Sequence, residues 1–170
     1  MNGRAVGLVL LGAAALAGGG LYYLEQFYWY DVSEAGDGEI GLTRADGSIA
    51  ALPVTDLSLA EGASSPLKYR ACFLVGETEL TGLAPYPEAA PTVAPVSFPC
   101  FDADAVAAAL ANGTAVALLG QANVTYGIDR VVALTEDGRG FAWHQINACG
   151  EKVFDGDPPP EGCPPPPEGS

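Results

Sequence analysis

A run of 20 residues without a charged or strongly polar side chain lies near the amino terminus, from Ala5 to Leu24. A helix rises about 1.5 Å per residue, so a run of this length covers about 30 Å, the thickness of a bilayer's hydrocarbon core. The run therefore predicts a single transmembrane helix. The rest of the chain is then expected to form a domain on one side of a membrane.

The flanking charges set the expected orientation of this helix. Arg4 precedes it, whereas the residues that follow are acidic, beginning with Glu25 and Asp31. Because basic flanks stay in the cytoplasm, residues 1–4 are predicted to be cytoplasmic and the remaining chain exterior. Residues 5–30 are expected to form the anchor and an interfacial turn. Its aromatic rings would rest at the lipid headgroups: Tyr22, Tyr23, Phe27, Tyr28, Trp29 and Tyr30.

A cleaved signal peptide is the alternative interpretation of the same segment. Arg4 would be its charged region, Ala5 to Leu11 its apolar stretch and Ala15-Leu-Ala17 its cleavage site. Cleavage there would leave an apolar amino terminus, GGGLYYLEQFYWY, whereas an uncleaved anchor places all of those rings at the interface.

The predicted exterior part is strongly acidic. The chain has 7 basic and 21 acidic residues and a formal net charge of −14. Arg4 and Glu25 cancel, so the residues from Asp31 onward carry all of this charge. It would repel a phosphate backbone, which excludes nucleic acid as an expected partner. Solubility is the simpler explanation of the acidity, and docking of a basic soluble protein, such as a small electron carrier, is the more specific one.

Four cysteines, Cys72, Cys100, Cys149 and Cys163, lie in the part assigned to the exterior, where disulfides persist. We expect two bridges, and loop closure favours Cys72 with Cys100 and Cys149 with Cys163. Metal binding is the rival role, but the chain has no CxxC, a single histidine and no closely spaced pair of ligands. We therefore expect no metal and no cofactor.

Residues 31–154 predict an α+β fold, a small disulfide-braced domain with a mainly antiparallel sheet and one short helix. Asp102–Gly113 has the aspartate N-cap, alanine body and terminal glycine of that helix. Leu67–Val75 alternates apolar residues with partly basic ones, as a strand does. Other expected segments are strands at 39–44, 48–54, 114–119, 124–135 and 140–148, turns at 45–47 and 120–123, and a proline-rich loop at 83–100.

The dipeptide Asp137-Gly138 is the strongest hairpin signal in the chain. As a two-residue loop it would place Leu134 opposite Phe141 and Val132 opposite Trp143. These four side chains would form an apolar cluster that packs on the short helix.

The same register would leave Asp129 diagonal to His144 on the other face, within reach of a hydrogen bond. These two residues are the only acid–base pair that the sequence suggests, and they are weak catalytic candidates. No hydroxyl nucleophile can be placed beside His144 from the sequence, so an enzyme is not the expected function.

The last segment, 155–170, is DGDPPPEGCPPPPEGS. Its prolines cannot join a strand ladder, so we expect an extended surface strap that Cys163 ties beside Cys149. Display of a polyproline ligand is the alternative.

Three stretches, SPLKYRACF, TYGIDRVVALTEDGRGFAWHQINACGEKVFDG and EGCPPPPEGS, together with the opening MNGRAVGL, resemble a family of small bacterial single-span envelope proteins of unknown function. The resemblance covers most of the chain and implies an inner-membrane protein with a periplasmic domain. It brings no catalytic residue. Members sometimes carry a histidine-kinase label, which we reject because this chain lacks a phosphate-binding glycine motif and is too short for a kinase.

The expected function is therefore non-enzymatic. We expect an accessory or interaction module that binds or stabilises a larger membrane complex, such as a respiratory or energy-transducing one, from the periplasmic side. Its partners would be the bilayer and an integral-membrane protein. The alternative is a small envelope enzyme or sensor that uses Asp129 and His144.

Overall fold

The computed structural model describes residues 2–76 and 79–167, so Met1 and residues 168–170 of the expected strap lie outside the described residues. In chain order the elements are α1 (Gly3–Tyr23), a π-helical turn (Leu24–Tyr28), β1 (Asp31–Thr43), β2 (Ile49–Glu61), β3 (Tyr69–Leu74), α2 (Ala103–Asn112), β4 (Ala115–Thr125), β5 (Ile128–Thr135), β6 (Arg139–Ile146) and α3 (Ala148–Phe154). The predicted α+β fold is confirmed. The structure adds the short helix α3, where the sequence predicts the end of a strand.

The first helix continues without a break over the 26 residues from Gly3 to Tyr28, and it contains an 18-residue window with a mean hydropathy of 1.8. None of the α1 residues is buried against the rest of the protein. By length and composition this helix is able to cross a membrane, and a signal sequence meets the same criterion.

All six strands form one antiparallel sheet in the order β1-β2-β3-β6-β5-β4. The sheet curls until its two edge strands approach each other, and the Thr43 hydroxyl donates to the Gly120 carbonyl at 2.9 Å. Residue Ala84 lies between these edges, where its amide donates to the Thr43 carbonyl and its carbonyl accepts from the Leu119 amide. Curling gives the sheet an inner and an outer face.

Each face has its own apolar core. The inner core draws on all six strands, as the inside of a curled sheet requires: Ile40, Leu42, Leu52, Val54, Leu57, Tyr69, Ala71, Phe73, Leu118, Val132, Leu134 and Ala142. The outer core lies between the sheet and a cover formed by the proline-rich loop and α2: Ala60, Cys72, Phe98, Phe101, Val106, Val131, Ala133, Phe141 and Trp143. The loop therefore encloses apolar side chains although it contains no regular strand.

The predicted helix and the alternation of β3 are both found. Asp102 caps α2 by accepting a hydrogen bond from the Ala105 amide at 3.1 Å, and Gly113 ends it with a left-handed φ of +80°. Apolar residues of β3 face the inner core, whereas Cys72 faces the outer one. Arg70, on the same face as Cys72, is buried and not solvated.

The turn predicted at residues 120–123 is wrong. These residues lie inside β4, where two irregularities in the pairing with β5 absorb the extra length. Gly120 allows the first of them, since a Cβ there would lie 3.0 Å from the Arg130 carbonyl oxygen. The chain turns instead at Gly127, whose φ is +76°.

The predicted register of the β5–β6 hairpin is also wrong, by one residue. Leu134 pairs with Gly140 and Val132 with Ala142, so the loop has three residues and not two. Gly138 takes a left-handed φ of +81°, which is the usual position of glycine in a three-residue hairpin loop. Phe141 therefore moves to the opposite face from Leu134, and the predicted four-residue cluster is divided between the two cores.

The structure joins Cys72 to Cys100 and Cys149 to Cys163, the pairing that loop closure favours. The first bridge ties the end of the proline-rich loop to β3. The second ties the carboxyl-terminal segment to α3. The described residues of that segment, 155–167, form no helix or strand.

The start of α3 packs closely on the β4–β5 turn. The Asn147 side chain accepts hydrogen bonds from the amides of Cys149 and Gly150 and so caps the helix. A Cβ at Gly150 would lie 2.2 Å from the Gly127 carbonyl oxygen, so both glycines are needed for this approach.

Candidate functional site

The predicted pair of Asp129 and His144 is not formed. With the observed register, Asp129 lies opposite Gln145 and Arg130 lies opposite His144. Successive side chains of a strand point to opposite faces, so Asp129 faces outward and His144 inward. The pair is a wrong prediction, and its cause is the one-residue error in the hairpin register.

Both ring nitrogens of His144 are bound within the protein. Nδ1 donates to the Pro66 carbonyl at 2.6 Å, and Nε2 accepts from Arg130 Nε at 3.0 Å, which fixes a neutral tautomer. The ring stacks on Tyr69 with centroids 4.4 Å apart. Burial lowers the pKa of His144 to about 4, the Pro66 carbonyl opposes this shift, and the nearby arginines add to it. This histidine connects strands and is not poised as a general base.

Asp129 has a structural role on the outer face, where its carboxylate accepts several hydrogen bonds. Its carboxylate accepts hydrogen bonds from the Asn123 amide at 2.8 Å, from Asn147 Nδ2 at 2.7 Å and from the Tyr86 hydroxyl at 3.1 Å. Burial and this carboxylate raise the pKa of Tyr86. Asp129 thus connects the end of β4, the cap of α3 and the proline-rich loop.

The described residues contain no group of three or more histidine, cysteine, aspartate or glutamate side chains arranged to hold a metal ion.

The strongest candidate site is the joint between the first helix and the domain, which we define as the contacts of Glu25, Gln26 and Trp29 with loops of the domain. Gln26, in the last turn of that helix, bonds to the proline-rich loop 70 residues further along the chain. Its Oε1 accepts from the Val96 amide at 2.9 Å, and its carbonyl accepts from the Ser97 hydroxyl at 3.0 Å. The helix end is therefore attached directly to the cover of the outer core.

A second set of contacts holds the other side of this joint. Lys68 Nζ lies 3.8 Å from Glu25 Oε2 and sits over the rings of Trp29 and Tyr30, at 5.9 Å and 5.4 Å from their centroids. Gly62 lies so close to the chain that a Cβ there would be 2.6 Å from the Trp29 carbonyl oxygen. Each contact involves a loop that precedes β3.

No linker separates the helix from the domain, because β1 begins at Asp31, three residues after the π-helical turn ends. Of the six predicted interfacial aromatics, Tyr30 packs against the outer core. The other five stay exposed at the end of the helix: Tyr22, Tyr23, Phe27, Tyr28 and Trp29. An apolar aromatic surface therefore surrounds the joint.

Two buried polar side chains shape the loop that meets Gln26. Arg70 Nε donates to the Thr92 carbonyl at 2.8 Å and Nη2 donates to the Val93 carbonyl at 2.9 Å. Gln145 accepts from the Ala90 amide and donates to the Glu88 carbonyl. Sequence reasoning missed all of these contacts, since every one joins residues far apart in the chain.

A family model described as a family of unknown function, DUF6446, matches residues 40–164. The matched part includes both disulfides and most of the sheet, and it leaves the first helix outside. No curated protein and no solved structure matches the chain.

Proposed function

Because the chain belongs to this family of unknown function, we propose its function from its own structure: a membrane-anchored interaction module held in a fixed position at the bilayer surface. In this role it binds or stabilises a larger membrane complex, with an integral-membrane protein as its direct partner. A respiratory or other energy-transducing complex is the kind of host we propose.

The observation that carries this proposal is the joint around Gln26. A domain that needs only a tether can be joined to its anchor by a flexible linker. Here Gln26, Glu25 and Trp29 instead contact loops of the domain, and no free residues intervene. A fixed orientation would present one constant surface to a neighbour that spans the same membrane.

We further propose that the anchor is uncleaved, with residues 1–4 in the cytoplasm and the domain in the periplasm of a bacterial inner membrane. Arg4 before the helix and acidic residues after it support this orientation. The two disulfides support an oxidising compartment for the domain. The net charge of −14 supports a basic soluble protein as a second partner, with binding that weakens as salt concentration rises.

Co-purification after mild detergent extraction tests the proposal. We expect the wild-type chain to retain an integral-membrane protein, and the double variant Gln26→Ala, Lys68→Ala to retain several-fold less, because the joint loses the contacts of these two side chains. Gln121→Ala, an exposed glutamine on β4, is the matched control and should behave like wild type. Finding the chain without a partner in every preparation would refute the proposal.

A further inference from the structure

We propose that the loop from Thr92 to Ser97 is a second membrane-contact element, in which Val93 and Val96 enter the lipid headgroup region beside the end of the first helix. This inference rests on the proposed function, since it requires that the helix is retained in the membrane. It adds a lipid contact that the anchor alone does not supply.

The depth of the loop follows from its bond to Gln26. If the hydrocarbon core covers Ala5 to Leu24, Gln26 lies two helical residues, or about 3 Å, beyond its boundary. The Val96 amide is 2.9 Å from the Gln26 side chain. The loop backbone at this point is therefore at the level of the headgroups, where interfacial side chains are found.

Val93 and Val96 are unusually exposed for this loop. Val93 is 79% exposed and Val96 is 56% exposed, whereas Phe98 and Phe101 of the same segment are buried in the outer core. Single exposed valines are common on soluble surfaces. Here two of them lie on a short loop that is hydrogen-bonded to the end of the first helix, whose last residues carry exposed aromatic side chains.

The composition of the loop and of the residues on either side of it suits a position at the membrane surface. The 13 residues from Ala89 to Phe101 contain no charged side chain, in a chain where 16% of residues are charged. Their three prolines have no amide hydrogen that would need a partner. A segment of this kind can leave bulk water without desolvating a charge.

Three backbone polar groups of the loop are bound by side chains of the protein. Arg70 binds the carbonyls of Thr92 and Val93, and Gln26 binds the amide of Val96. Unpaired backbone groups are the main cost of placing an irregular segment near lipid. Binding of these three groups lowers the polar cost of placing the valine side chains in the interface.

The charges around this surface predict which lipids it contacts. Asp102 and Asp104 line the same groove as Val93 and Val96, and the loop itself carries no lysine or arginine. Attraction to anionic headgroups is therefore excluded as the driving force, and the contact should form equally well with zwitterionic lipid.

Site-specific photocrosslinking of the full chain tests the proposal. A diazirine-bearing amino acid replaces Val93, Val96, Leu8 or Ile49, one at a time, and each protein is illuminated in phosphatidylcholine nanodiscs. Leu8 lies within the first helix and reports the anchor. Ile49 is 60% exposed, like Val96, but lies at the far end of β2, 12 residues or about 40 Å from the end that meets the joint.

We expect roughly tenfold more lipid adduct at positions 93 and 96 than at position 49, and the same ratio when anionic lipid is included, because the contact is apolar. Adduct at position 8 without adduct at 93 or 96 would overturn this inference and leave the proposed anchor intact. Absence of adduct at position 8 would instead refute the anchor. Equal adduct at 96 and 49, or a crosslink from 96 to a second copy of the chain, would also contradict the lipid contact.

Discussion

Arg70, Gln145 and Gln26 each reach the backbone of the proline-rich loop, and together they determine its path over the outer core. Arg70 binds carbonyls because its planar fork carries five donors, and it is only 4% exposed. The sequence predicts a partly basic face of β3, and Arg70 does lie on that face. Alternation alone could not show that a loop 22 residues away would cover it.

His144 gives a prediction at the same scale. Because its folded pKa of about 4 lies below the ordinary 6.5, the unfolded chain binds more protons between these values. The free energy of unfolding should therefore fall by roughly 2 kcal/mol as the pH drops from about 6.5 to about 4, after allowance for solvent screening.

The chain has a single histidine, so NMR titration of one imidazole measures this pKa directly. Arg130→Gln removes the adjacent cation and should raise the pKa toward its ordinary value. A wild-type imidazole that titrates near pH 6.5 would show that His144 is not held neutral in the way described.

At the scale of elements, the sequence predicts best those features that depend only on residues close together in the chain. The caps of α2 at Asp102 and Gly113 and the alternation of β3 depend on neighbouring residues only, and both were correctly predicted. The Asp137-Gly138 dipeptide suits both a two-residue and a three-residue hairpin loop. In the structure the Arg139 amide donates to the Thr135 hydroxyl, which is consistent with the longer loop.

That choice of loop determined the outcome for the candidate site. A shift of one residue exchanges the faces of a whole strand, so it separated Asp129 from His144 and Leu134 from Phe141. Helix α3 was missed for a different reason. It has only seven residues, and Asn147 as its cap was the one local signal.

The loop carries a prediction at this scale. Arg70→Lys keeps the charge but loses the fork that binds the carbonyls of Thr92 and Val93. We expect the free energy of unfolding to fall by about 1–3 kcal/mol, because two loop carbonyls lose hydrogen bonds from a charged donor. Amide hydrogen exchange at residues 92–97 should be faster.

Arg44→Lys is the matched control, since Arg44 is exposed and bonds only weakly to the Ser48 hydroxyl. It should leave both measurements unchanged. Wild-type exchange rates in the Arg70→Lys variant would show that the loop does not depend on this arginine.

At the scale of the whole molecule, the chain combines a long exposed apolar helix with a domain that has two cores and two disulfides. The sequence predicted this division because hydropathy and cysteine placement are properties of long segments. It could not predict the joint, since Gln26 and Val96 are 70 residues apart in the chain and only the tertiary fold brings them together. In the function that we propose, the joint gives the anchored domain a fixed orientation.

The central claim is that the first helix remains part of the mature protein as its anchor. Intact-mass measurement of the chain from carbonate-washed membranes tests this claim most directly. We predict a membrane-bound chain that retains residues 5–24, with a mass near the 17.3 kDa of the full sequence. Recovery of a soluble chain that lacks the residues up to Ala17 would contradict it.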